Sequence, residues 1–100
     1  MSTWVLIQNL ASLGDNKWSG EAQFSYKRFP VKLLIYEYSG QMRAVNRLCP
    51  HQSYDMAQSN LEEGWLIQCP SHGLKISLLD DKHSYEVKKE ENNLYCLEHI

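Results

Sequence analysis

The apolar residues of this chain come in runs too short to build a helix. Val5-Leu6-Ile7 and Leu33-Leu34-Ile35 are strand-sized, and no segment combines helical apolar spacing with capping residues. Residues 3–8 and 31–38 concentrate Val, Ile, Leu and aromatic side chains. Along residues 21–29, Ala22, Phe24 and Tyr26 alternate onto one face, as a strand requires. Ser39-Gly40 is a turn signal between residues 31–38 and 41–47 and predicts a hairpin there. Residues 65–68, 74–79, 85–89 and 94–98 complete the strand set, with Asp80-Asp81-Lys82 and Glu91-Asn92-Asn93 as the later turns. Short, regularly spaced strands predict an all-β, antiparallel sandwich or barrel. At 100 residues the chain reads as a single domain over positions 1–100.

Charge excludes whole classes of partner. The net charge of -2 and pI of about 6.0 leave no basic field to hold phosphates, and Lys27-Arg28 and Lys88-Lys89 are isolated doublets, so no nucleic-acid partner is expected. No apolar run approaches the roughly 20 residues that a bilayer requires, so no membrane partner is expected either. Met1-Ser2-Thr3-Trp4 has neither the basic region nor the apolar stretch of a secretory leader. Three cysteines, Cys49, Cys69 and Cys96, are an odd number where disulfide-stapled secreted domains tend to have four or six. Reduced thiols, and hence a cytoplasmic location, are the expectation.

The stretch from about 48 to 74 breaks the strand rhythm. It holds Cys49-Pro50-His51 and, after seventeen intervening residues, Cys69-Pro70-Ser71-His72-Gly73. Thiolate sulfur and imidazole nitrogen bind zinc and iron strongly. A proline after each cysteine stiffens the turn, and Gly73 permits close backbone approach to an inorganic core. Cys49, His51, Cys69 and His72 could therefore surround one tetrahedral zinc. Zinc sites, however, usually group cysteines with cysteines and histidines with histidines. Two mixed pairs suit two metals instead, one iron taking both thiolates and the other both imidazoles, which is the ligand set of a Rieske [2Fe–2S] centre. The remaining candidates read as packing: Cys96 as a core residue, His83 and His99 as solvated surface, and Trp4, Trp18 and Trp65 as core or half-buried rings rather than electron conduits.

The segments Cys49-Pro50-His51-Gln52 through Glu63-Gly64 and Ile67-Gln68-Cys69-Pro70-Ser71-His72-Gly73 closely resemble the cluster-binding loops of Rieske ferredoxins. Residues 30–35, 43–46 and 85–88 resemble that family's flanking strands. The resemblance implies the all-β Rieske domain, with a small loop subdomain carrying one [2Fe–2S] cluster per chain. Cys49 and Cys69 would bind one iron, and His51 and His72 the outer, reducible iron. Gln52, Ser53, Tyr54 and Leu74 would rim a docking face, with Asp55, Glu62 and Glu63 adding acidic steering.

Departures from the family refine this expectation. Tyr54 and Ser71 stand where quinol-oxidising relatives carry a disulfide, and Leu74 and Ile76 stand where they place a serine and a tyrosine hydroxyl. Ser53 replaces a frequent glycine, and no proline follows Pro70 to build the segment that shields the cluster in relatives. Fewer hydrogen bonds to the cluster predict a potential toward the lower end of the roughly −150 to +300 mV Rieske range. No 2-His-1-carboxylate iron site and no dinucleotide fingerprint is visible, so the chain reads as a non-enzymatic electron-transfer component. The resemblance implies a monomeric one-electron shuttle between a flavin-dependent ferredoxin reductase and a terminal oxygenase or other redox enzyme. A permanently bound small subunit of a larger reductase, of the nitrite-reductase type, and a zinc-stabilised binding module are the alternatives.

Overall fold

The computed structural model describes residues 2–25, 27–48, 55–57, 59, 61–68, 75–79 and 84–99. They form nine strands: β1 (Ser2–Leu6), β2 (Gln8–Gly14), β3 (Lys17–Ala22), β4 (Val31–Tyr38), β5 (Gln41–Asn46), β6 (Leu66–Gln68), β7 (Lys75–Ser77), β8 (Ser84–Glu90) and β9 (Asn93–His99). Seven make one antiparallel sheet in the order β1-β9-β8-β5-β4-β3-β2, and β6 and β7 form a separate hairpin.

The two edges of the large sheet, β1 and β2, are separated in the chain by Ile7 alone. Edges joined through one residue must meet at that corner, so the sheet curls toward a closed barrel, which removes much of the exposed edge. Ile7 is buried, and its N–H donates to the Leu94 carbonyl at 2.9 Å, keeping the crossing segment against β9. Gly20 of β3 makes room for this corner. A Cβ built there would lie 2.5 Å from Ile7 Cγ2 and 3.2 Å from the Gln8 carbonyl oxygen. Gly20→Ala is therefore expected to destabilise the fold by about 1–3 kcal/mol, the usual cost of overpacking. Denaturant melts of the two proteins check this, and unchanged stability would mean that the corner yields freely.

Alternation along β4 divides the interior in two. Leu33 and Ile35 point into the barrel with Ile7, Ala22, Phe24, Ala44, Leu94 and Cys96. Leu34 and Tyr36 point the other way, joining Val45, Met56, Trp65, Ile67, Ile76 and Leu78. The β6–β7 hairpin thus packs on the outer face of β4 and β5. All four central β4 residues are buried, a pattern that a strand shows only when both its faces are covered.

The strand expected over residues 21–29 is corrected. β3 ends at Ala22, and the chain then leaves the sheet. Phe24 is nevertheless buried and stacks on Tyr85, with ring centroids 5.0 Å apart. The buried Glu98 carboxylate holds this segment to β9 by accepting hydrogen bonds from the Ser25 N–H (2.6 Å) and hydroxyl (2.8 Å). The expected strand over residues 3–8 divides into β1 and the start of β2. The β2–β3 hairpin went unread because all seven β2 residues are exposed, so hydrophobic alternation does not mark it.

Candidate metal centre

Four side chains carry the metal reading, and Cys49, His51, Cys69 and His72 all lie outside the described residues, as do Gln52, Ser53, Tyr54, Ser71, Leu74 and His83. What the structure does show is how the chain is held on either side of them. Leu48 and Asp55 form an antiparallel bridge, bracketing residues 49–54. Gln68 pairs with Lys75 in the β6–β7 ladder, bracketing residues 69–74. Each Cys/His pair is thus carried between two backbone positions that face one another.

The two brackets are tied together through Ser59. Its hydroxyl donates to the Gln68 carbonyl at 2.7 Å, immediately before Cys69. Its N–H donates to the Met56 carbonyl at 2.9 Å, and the Met56 N–H donates to the Arg47 carbonyl at 2.8 Å. The Ser59 carbonyl accepts from the Tyr36 hydroxyl and from the Lys17 ammonium, each at 2.8 Å. Lys17 Nζ also donates to the Ala57 carbonyl. Strands β3 and β4 of the barrel therefore grip the segment between the loops by its backbone, and the second core packs beneath it.

The turn leading into β6 is strained in a supported way. Gly64 and Trp65 both take left-handed backbone conformations, with φ of 84° and 63°. For a tryptophan this is costly unless the surroundings hold it. Trp65 is buried in the second core, meets Tyr38 edge to face at a centroid distance of 5.3 Å, and accepts the Leu78 N–H at its carbonyl, 2.8 Å.

Asp55 caps the other side. Its carboxylate accepts from Arg47 Nε at 3.0 Å and from the Ala57 N–H at 2.9 Å. These hydrogen bonds, that from Arg47 foremost, hold its carboxyl below the usual 3.8. A carboxylate whose folded pKa is depressed contributes stability above its unfolded value and loses it as pH falls through the folded value. The wild type should therefore be more stable than Asp55→Asn above about pH 4. The difference should vanish below Asp55's folded pKa, as paired melts across that window would report. A constant difference at all pH values would exclude the charge as its origin.

The acidic steering expected of Asp55, Glu62 and Glu63 is reduced by these pairings. Asp55 is matched by Arg47, and Glu62 by Lys75 Nζ at 3.0 Å. Cys96 is fully buried in the barrel core, and burial pushes its thiol up to about 12. Trp65 is buried, Trp18 packs at the barrel core, and Trp4 is partly exposed beneath the Lys88 ammonium, 4.6 Å from its ring centroid. Ile76, read as a missing hydroxyl, is a buried member of the second core. Lys17, Tyr36 and Ser59 are not marked in the sequence, because a lysine, tyrosine or serine carries no local sign of a distant carbonyl partner.

The donor set itself decides what the centre can take. Two thiols and two imidazoles, one of each per bracketed segment, supply two soft and two borderline ligands, which fits a two-iron cluster with divided ligation. Comparison with known proteins agrees. The family model of the Rieske [2Fe-2S] domain matches residues 3–89. The alkene monooxygenase system ferredoxin component of Xanthobacter autotrophicus strain Py2 is 28% identical over 67 residues, which cover 64% of this chain and 52% of that protein. The chain thus spans about half the length of this relative. No solved structure matches the chain significantly.

Proposed function

Since the chain belongs to the Rieske [2Fe-2S] domain family, we propose that it is a one-electron carrier, holding its cluster through Cys49, His51, Cys69 and His72. Residues 1–100 make one Rieske domain, with the cluster loops at about 48–74. The observation that carries this reading is the pairing of Leu48 with Asp55 and of Gln68 with Lys75, which brackets both Cys/His pairs on one packed unit.

When bound, the cluster supplies reversible one-electron chemistry. The chain's own residues do the rest. Cys49 and Cys69 would provide thiolates to one iron, and His51 and His72 would provide imidazoles to the other. Ser59, Tyr36 and Lys17 fix the intervening segment, so the loop ends keep their spacing as charge changes. Leu34, Met56, Ile67 and Ile76 form a dry floor beneath that segment.

The partners are a flavin-dependent reductase as electron donor and a terminal oxygenase or other redox enzyme as acceptor, a reading supported by the ferredoxin relative from a monooxygenase system. Docking with each is brief and the carrier itself is monomeric, since a shuttle must leave after transfer and redox encounters use small interfaces. The odd count of three cysteines supports a location in the cytoplasm, where thiols stay reduced. Among the described residues, no helix is long and apolar enough to cross a membrane.

Electron paramagnetic resonance before and after dithionite, alongside iron and sulfide assays, tests the proposal. A silent oxidised sample that gives a rhombic signal on reduction, with an average g below that of all-cysteine clusters, is the expected result. Zinc, or protein that takes up neither iron nor sulfide, would overturn it. A redox titration should place the potential toward the lower end of the roughly −150 to +300 mV Rieske range. A value well above zero would contradict the hydrogen-bond argument.

A further inference from the structure

Lys17 is an unusual lysine. Only 8% of it is exposed, although it sits on β3, one strand from the sheet edge. Its cross-strand neighbour is Tyr36, and its ammonium lies 5.7 Å from that ring's centroid. Its hydrogen-bond acceptors are the backbone carbonyls of Ala57 and Ser59. Among the described residues it pairs with no carboxylate, whereas Arg47, Lys75 and Lys88 each face one. A charge met only by neutral dipoles keeps its field, and a poorly solvated setting screens that field less than water does.

The charge also stands at a telling place. Ser59, whose carbonyl Lys17 holds, reaches with its hydroxyl to the Gln68 carbonyl, and Gln68 is bonded directly to Cys69. Ala57 reaches the other bracket through its N–H to the Asp55 carboxylate. One ammonium is thereby connected to the bases of both ligand-bearing segments. Adding an electron to a two-iron, two-sulfide site with two thiolates changes its formal charge from zero to minus one, and no bond forms or breaks. A nearby positive charge favours that product.

We propose that Lys17 is a built-in positive charge that raises the reduction potential of the cluster and so sets how readily the carrier accepts an electron from a reduced flavin. Lys17 is thus a tuning and positioning residue, not a ligand. The inference rests on the cluster assignment above. Burial, and secondarily the charge of Arg47, lower the lysine's pKa from 10.5.

Potentiometric titration of the loaded protein, followed by its reduced-state paramagnetic signal, tests this with three variants. Lys17→Met should lower the equilibrium constant for reduction about three- to tenfold, or about 30–60 mV for one electron. Lys17→Arg keeps the charge and should restore most of the difference. Tyr36→Phe removes a hydrogen bond to the same Ser59 carbonyl but no charge, and should shift the potential much less than Lys17→Met does. Equal shifts in Lys17→Met and Tyr36→Phe would make the effect one of loop position and overturn the charge reading. So would a Lys17→Met potential equal to wild type. Should Lys17→Met take up no cluster, Lys17→Gln takes its place. Failure of both to load, while Lys17→Arg loads, would make the lysine a folding requirement and overturn the tuning role. A wild-type protein that binds no [2Fe–2S] cluster would instead overturn the cluster assignment itself.

Discussion

Cys69→Ser is expected to abolish the cluster, with bound iron and sulfide falling below about a tenth of wild type and the reduced paramagnetic signal lost. The same should hold for Cys49→Ser, because under the proposed ligation each thiolate would be one of only two on its iron, and a serine hydroxyl is a far poorer ligand for it. Cys96→Ala is the informative contrast. That residue is fully buried between β8 and β1 on strand β9, among Leu33, Ile35 and Ala44, and its thiol is pushed up to about 12. It should load fully and lose only about 1 kcal/mol of stability, an ordinary cost for one substitution. Cluster loss in Cys96→Ala, or a normally loaded Cys49→Ser, would refute the ligand assignment. The contrast separates the three cysteines by role, which their number alone does not.

The second large effect concerns two neighbours on β4. Leu33→Ala and Leu34→Ala each remove a side chain with no exposed surface, and each should cost about 2–5 kcal/mol. Their consequences for the cluster should differ. Leu33 faces the barrel core with Phe24 and Cys96, on the opposite side of β4 from the second core. Leu34 faces the second core with Met56, Ile67 and Ile76, which belong to the chain that flanks the two bracketed Cys/His segments. Leu34→Ala should therefore speed loss of iron to a chelator well beyond Leu33→Ala at matched global stability. Equal rates would show that the two cores act as one cooperative unit. The measurement is chelator-induced bleaching, with denaturant melts used to match stability.

The candidate centre is read from the sequence, because its donor chemistry resides in residue types and Cys49, His51, Cys69 and His72 lie outside the described residues. Thiols and imidazoles in two mixed pairs restrict the metal whatever the surrounding fold. The β4–β5 hairpin was legible too, since its apolar run and Ser39-Gly40 turn are local signals, and Ser39 and Gly40 do adopt left-handed backbone, with φ of 54° and 77°. β2 was not, because an exposed edge strand needs no apolar face. The path of residues 23–29 was misjudged for the opposite reason. Phe24 is buried as alternation demands, but outside any strand, by a fold of the chain that the Glu98–Ser25 hydrogen bonds secure.

By itself, then, the order of residues determined the all-β class, the strands whose apolar content marks them, and the two Cys/His pairs. Only the tertiary structure decided that the sheet curls until β1 and β2 meet at Ile7, that β4 is buried on both faces, and that Lys17 of β3 grips the chain at Ala57 and Ser59. The physical reason is range. Propensity, turn chemistry and ligand identity are properties of a few adjacent residues, whereas a buried ammonium's partners some forty positions away exist only once the barrel and the hairpin have packed together.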